Sequence, residues 1–298
     1  NENKLAMLAG KMLRFQPILL AFGPRGEPAF EIGCFHGMER HGAFRISHNT
    51  RMHDGTFDDD GIATLESCAG CRNGEIMSAR YTLVVGTKDW SSWSLRPYLA
   101  LRAAGAPFEE VVIQLRHTDS PSTKEQIKKH SPTGRVPVLK IEDTGKTTTV
   151  WDSLAICETI AERHPEAALW PADASARAIA RSYAAEMHSG FPDLRDQLPM
   201  DFARRLATPS LREATKGQIA RVLSSWEQAL AQYGAAGGFL FGEFSVADCM
   251  YGPVVSRFVT YGIEMPGACR RYVERMMALP AMKDWGAASK AEVDSGNA

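Results

Sequence analysis

The sequence runs to 298 residues, a length that as a prior suggests about two domains. With 44% hydrophobic and 23% charged residues it sits near the average for globular proteins, which excludes collagen-like, mucin-like and wholly disordered chains. Lys plus Arg numbers 34 against 35 for Asp plus Glu, a formal net charge of -1, so no basic surplus suited to nucleic acid is present and a small-molecule or protein partner is expected.

The first 76 residues differ from the rest. They hold 10 of the 25 glycines, 4 of the 8 histidines and 3 of the 6 cysteines, and stretches such as CFHGMERHG keep neither a 3.6-residue nor a 2-residue period. Their longest apolar run, FQPILLAF, is far shorter than the roughly 18 residues that span a bilayer, so no membrane partner is expected. Cys68 and Cys71 form CAGC, with His48 and His53 upstream. A zinc fold would want a second pair at tight spacing, so accidental or weakly redox-active thiols are expected and no metal. Six cysteines in all are too few for a disulfide scaffold, and a reducing cytoplasm is the expected compartment. Met77 followed by SARYTLVVG reads as a start methionine and a first strand, with 1–76 a non-native or disordered extension.

From there the pattern is regular. YTLVVG (81–86) predicts a buried strand, and WSLRPYLALRAAG (93–105) a helix ending in a glycine stop signal. EEVVIQL (109–115) predicts a second strand, the polar segment holding Ser122 and Gln126 a short helix, VPVLKI (136–141) and KTTTV (146–150) a strand pair, and SLAICETIAERH (153–164) a third helix. A right-handed β-α-β unit followed by a hairpin and a covering helix gives a four-stranded mixed sheet, the thioredoxin-like arrangement, over 77–165. Pro165 and Pro171 mark a linker, and 172–298 is read as an all-helical domain with helices at 174–198, 209–234, 245–261, 267–277 and near 280–289. Ser245 and Asp248 make a capping box that opens one of these helices, so Asp248 is read as a structural cap rather than a catalytic acid.

Four segments in this order, SSWSLRPYL, SPTGRVPVL, DSLAICETIAE and FSVAD, resemble the soluble glutathione S-transferases over residues 77–298. The resemblance implies glutathione as co-substrate, a cis peptide at Val136-Pro137 whose Val136 backbone holds the cysteinyl part, and capture of the γ-glutamyl carboxylate at Asp152 and Ser153. Taken alone, those residues also read as a strand-edge proline and an ordinary helix cap. In place of the C-x-x-C of a redox thioredoxin stands Ser91-Ser92-Trp93-Ser94, so a dithiol cycle is not available there. A serine hydroxyl and the positive helix end can instead stabilise a bound thiolate. Ser91 and Ser92 are the catalytic candidates, with Ser91 favoured and Ser92 read as the better cap. The spacing to Arg96 resembles the zeta-like class, which carries Cys where this chain has Trp93.

Trp93, Tyr183, Met187, His188 and Phe191 are the candidates for a pocket taking a hydrophobic electrophile. The family resemblance also implies a homodimer and a detoxifying transferase. The alternatives are a glutathione-dependent isomerase of the maleylacetoacetate type and a non-catalytic binding protein of the same fold.

Overall fold

The computed structural model describes residues 79–115, 122–235 and 237–297. The expectations for 1–76, including the Cys68 and Cys71 pair, His48 and His53, and for the start at Met77 fall outside the described residues.

Four strands, β1 (Arg80–Gly86), β2 (Phe108–Ile113), β3 (Val138–Asp143) and β4 (Lys146–Trp151), form a sheet in the order β2-β1-β3-β4. β1 runs parallel to β2 and antiparallel to β3, and β3 pairs antiparallel with β4. Successive side chains of a strand point to opposite faces, and β1 uses both. Tyr81, Leu83 and Val85 enter the main core, while Val84 packs with Ile113, Val138 and Ile127 on the other side. Ile127 belongs to α2 (Thr123–Lys128), which Ser122 opens with a capping box to Glu125. Helices α1 (Ser92–Ala103) and α3 (Ser153–Arg163) cover the first face. This is the thioredoxin-like layout that the periodicity predicts.

Six further helices follow: α4 (Ala174–Ser189), α5 (Pro192–Gln197), α6 (Glu213–Tyr233), α7 (Val246–Thr260), α8 (Gly267–Ala278) and α9 (Pro280–Asp294). The single helix expected over 174–198 is broken in two. Gly190 and Phe191 leave the helical conformation, Phe191 at φ 61°, because Pro192 stands at the first position of α5 and disfavours helix in the residue before it. The last helix is longer than expected, reaching Asp294. α7 crosses α1 closely: a Cβ on Gly252 would lie 2.7 Å from Leu99 Cδ1. One apolar core therefore runs through both layers, from Leu83 and Leu99 to Trp226 and Val254. The Asp248 carboxylate is fully buried and accepts from the amides of Leu240 (3.1 Å) and Ser245 (2.9 Å) and from the Ser245 hydroxyl (2.9 Å). Burial pushes its pKa up to about 6, and its neighbours at the helix start identify a cap. Among the described residues no helix is long and apolar enough to cross a membrane.

Candidate active site

The turn that leaves β1 carries the serines to the start of α1. Thr87 C=O accepts from the amides of Trp90 (3.3 Å) and Ser91 (2.8 Å), and Ser91 is the N-cap residue, with no side-chain capping bond. Its hydroxyl instead donates to Ser94 Oγ at 2.7 Å, and Ser94 Oγ accepts from the Gly86 amide at 3.1 Å. A serine has one hydroxyl proton, so Ser91 spends its proton inside the protein. No group among the described residues meets the Ser92 hydroxyl, which neither caps the helix nor bonds elsewhere. Of the two candidates, Ser92 is the one with a proton to give. That reverses the preference drawn from position alone, and the reason is the Ser94 contact.

The peptide between Val136 and Pro137 is cis. Neither the N–H nor the C=O of Val136 has a backbone partner among the described residues, so both stand available just ahead of β3. At the N-terminus of α3, Asp152 adopts φ 74° and its Oδ1 accepts from the amides of Leu154 (2.9 Å) and Ala155 (3.3 Å). Its Oδ2 lies 3.3 Å from His188 Nε2 on α4. Burial lowers the pKa of His188, against the pull of Asp152. Ser153 is fully buried and accepts from Arg96 Nη1 at 3.3 Å, leaving its own proton free.

Arg96 is fully buried, with Nε and Nη2 unpartnered. Trp93 lies between two guanidiniums, 4.3 Å from that of Arg96 and 5.0 Å from that of Arg195, and meets His188 edge-on at 5.2 Å. Arg195 folds back from α5 to the end of α4, donating to the carbonyls of Gly190 (3.0 Å) and His188 (3.3 Å) and to that of Met187. These are carbonyls that a helix end leaves without partners. Arg257 on α7 donates to the carbonyls of Leu198 (2.7 Å) and Pro253 (3.2 Å). Burial, reinforced by mutual repulsion, pushes Arg96 and Arg257 down to about 9, so both remain cations at neutral pH. Among the described residues none of Arg96, Arg195 and Arg257 stands in an ion pair.

A cleft of about 270 Å³ opens beside this group, lined by Asp89, Trp90, Arg195, Asp201, Arg204 and Arg257 among others, with Arg204 paired to Asp201 at 3.3 Å. Of the electrophile-pocket candidates, Trp93 and His188 lie in the site. Tyr183 is turned to α6, where its hydroxyl donates to Ser225 C=O at 3.1 Å, and it packs edge-on against Phe241. Met187 and Phe191 are buried in the core. The expected place of the pocket, between the sheet domain and the first long helix, groups these three with the site, but their helical spacing marks only a buried stripe and not which neighbour the stripe faces. Arg195 and Arg257 were missed, since nothing local marks an arginine whose importance comes from lacking an acid partner. The described cysteines, Cys157, Cys249 and Cys269, are all buried, and burial raises each thiol pKa. They supply no thiolate to the cleft.

A thioredoxin-like sheet fused to a helical bundle, with a free hydroxyl at the α1 start and an open Val136 backbone, defines the glutathione transferase class of fold. Residues 90–163 match the family model described as Glutathione S-transferase, N-terminal domain, and 209–286 match Glutathione S-transferase, C-terminal domain, together about half of the chain. A maleylpyruvate isomerase from Ralstonia sp is 28% identical over 179 residues, which cover 59% of this chain and 82% of that protein. The structure of a maleylacetoacetate isomerase from Anaeromyxobacter dehalogenans, with bound dicarboxyethyl glutathione and citrate, is 30% identical at a TM-score of 0.51 and covers 70% of this chain and 91% of its own. A glutathione transferase homolog from Burkholderia, with bound glutathione, is 26% identical at a TM-score of 0.52, covering 71% and 98%. The chain belongs to the glutathione S-transferase family and is an enzyme of that family.

Proposed function

We propose that this protein binds glutathione, stabilises its thiolate through the Ser92 hydroxyl and the α1 N-terminus, and presents it to a small electrophile that carries carboxylate groups. The observation that carries the substrate class is the pair Arg195 and Arg257, two cations lining the cleft with no acid partner. Buried charges cost free energy unless paired; the two acids on the same lining are engaged elsewhere, Asp89 by Ser289 and the Ala203 amide and Asp201 by Arg204, so a ligand carboxylate is the complement that Arg195 and Arg257 lack. The earlier expectation of a hydrophobic electrophile gives way on that ground. Support comes also from the bound dicarboxyethyl glutathione and citrate of the Anaeromyxobacter relative.

Glutathione fits the other end of the site by its chemistry. The Val136 N–H and C=O suit the cysteinyl backbone. The Asp152 carboxylate is an acceptor and suits the γ-glutamyl ammonium, while the Ser153 hydroxyl and the α3 N-terminus suit the γ-glutamyl carboxylate. Thiolate addition to an activated double bond forms a C–S bond and places negative charge next to the substrate carbonyl. Protonation of that adduct gives a conjugate, and expulsion of the thiolate after rotation gives the geometric isomer. The transferase and isomerase readings therefore share one first step, and the substrate decides between them.

Turnover of glutathione with an unsaturated dicarboxylate and with a neutral aromatic halide tests the reading. Preference for the acid is expected. Turnover of the neutral compound alone would overturn the assignment of substrate class. A homodimer and a cytoplasmic setting belong to the same proposal, the first checked by the mass of the native protein in solution.

A further inference from the structure

Residues 88 and 89, just before the serines, are held by elements more than a hundred residues away. Trp285 Nε1 on α9 donates to Lys88 C=O at 2.8 Å. Ser289, also on α9, donates through its hydroxyl to Asp89 Oδ1 at 2.7 Å. The Asp89 amide donates to Glu292 Oε2 at 3.1 Å. From the segment after α5, the Ala203 amide donates to the same Asp89 Oδ1 at 2.9 Å, and the Phe202 amide to Asp89 C=O at 3.0 Å. Lys88 Nζ pairs with Glu110 Oε2 at 2.7 Å and lies 5.1 Å from the Trp285 ring centroid. Trp285 and Ser289 are fully buried and Asp89 is 3% exposed. Every polar atom of the Asp89 backbone is committed to a distant element, so the turn has little freedom of its own.

From this geometry we infer that α9 is a latch on the β1–α1 turn, and that Trp285 and Ser289 are positioning residues for thiolate stabilisation. The inference rests on the proposed glutathione chemistry at the α1 start. The turn bonds Thr87 C=O to the amides of Trp90 and Ser91, so a shift at residues 88 and 89 passes directly to the hydroxyl of Ser92 and the first N–H groups of α1. Stabilisation of a developing charge depends on donors fixed in advance at the right place, and here the fixing is done from the C-terminal helix.

The test uses Ser289→Ala and Trp285→Phe in the full chain, each of which removes one donor and keeps most of the packing. Midpoints of thermal unfolding identify a variant that has lost its fold, and the other variant then carries the test. The readouts are the titration of the bound glutathione thiol against pH, the glutathione dissociation constant, and kcat with KM. Both variants are expected to raise the thiol titration midpoint and lower kcat by roughly three- to tenfold, with glutathione affinity within about twofold. Folded variants with the wild-type midpoint and kcat overturn the latch. Ser92→Ala run alongside separates the two ideas. If only Ser92→Ala moves the midpoint, the latch falls and the serine assignment stands. If only the α9 variants move it, the latch stands and the helix N–H groups, not Ser92, hold the thiolate. If none does, both are overturned.

Discussion

Ser91 donates its hydroxyl proton to Ser94 Oγ at 2.7 Å, and this bond makes two adjacent serines chemically unequal. Ser94 in turn accepts from the last amide of β1, so the Ser91 contact is part of how the strand end is joined to α1. Replacing Ser92 by Ala is expected to raise the pKa of the bound thiol by roughly one to two units, because a hydrogen bond to a charged acceptor is worth about 1.5–3 kcal/mol. Turnover at neutral pH then falls at least about tenfold. Ser91→Ala is expected to lower thermal stability with a smaller effect on the thiol. Absorbance titration of the bound thiolate, with unfolding midpoints, checks both.

Arg195→Met is expected to raise KM for a carboxylate-bearing electrophile by roughly tenfold or more, the scale of one lost charged hydrogen bond. The KM for a neutral electrophile should change little. Added salt should weaken the acidic substrate in the wild-type protein in the same direction. Steady-state kinetics with the two substrates decides it; equal effects on both would mean that Arg195 serves only the end of α4.

At Asp152 the carboxylate does two jobs, capping α3 and facing His188. Asp152→Asn keeps an acceptor for the Leu154 and Ala155 amides and removes the charge. The fold should persist while glutathione affinity drops by roughly tenfold, as read by calorimetry.

Glu292 gives a pH-dependent expectation. Burial raises its pKa above the ordinary carboxylate value, outweighing the lowering by the Asp89 amide bond. A carboxyl whose folded pKa is raised favours the folded state most when protonated, so this contribution is lost as pH rises through the raised value. Glu292→Gln retains an oxygen for the Asp89 amide without the charge. Its unfolding midpoint should match or exceed that of the parent at neutral pH, and the difference should shrink as pH falls into the carboxylate range. A difference that grows toward acid pH would reverse the sign and refute it.

Asp248→Ala should cost stability without touching the chemistry. It leaves the buried Leu240 and Ser245 amides without an acceptor, at about 1–3 kcal/mol for each bare donor. Thermal unfolding measures the loss, and kcat of the folded fraction should be that of the parent.

Local rules account for much of what was legible in the chain. The buried apolar run of β1 and the caps at Asp152 and Ser245 depend on residues within a few positions of one another, so their spacing carries them, whereas the cis Val136-Pro137 turn is what the family resemblance implies and the break at Pro192 departs from the single helix expected over 174–198. The parallel β1–β2 pair and the β3–β4 hairpin follow as well, since a parallel strand pair needs a crossover and a hairpin does not, while the placing of β3 beside β1 is seen only in the structure. The site's electrostatics depends on contacts with no local signature. His188 reaches Asp152 across 36 residues, Arg96 meets Ser153 across 57, and Ser289 reaches Asp89 across 200. Which serine keeps its proton free, which arginines lack an acid, and what fixes the turn beneath them are properties of packing between helices and sheet. Periodicity marks a face as buried but leaves its partner unnamed; only the tertiary structure supplied the partners.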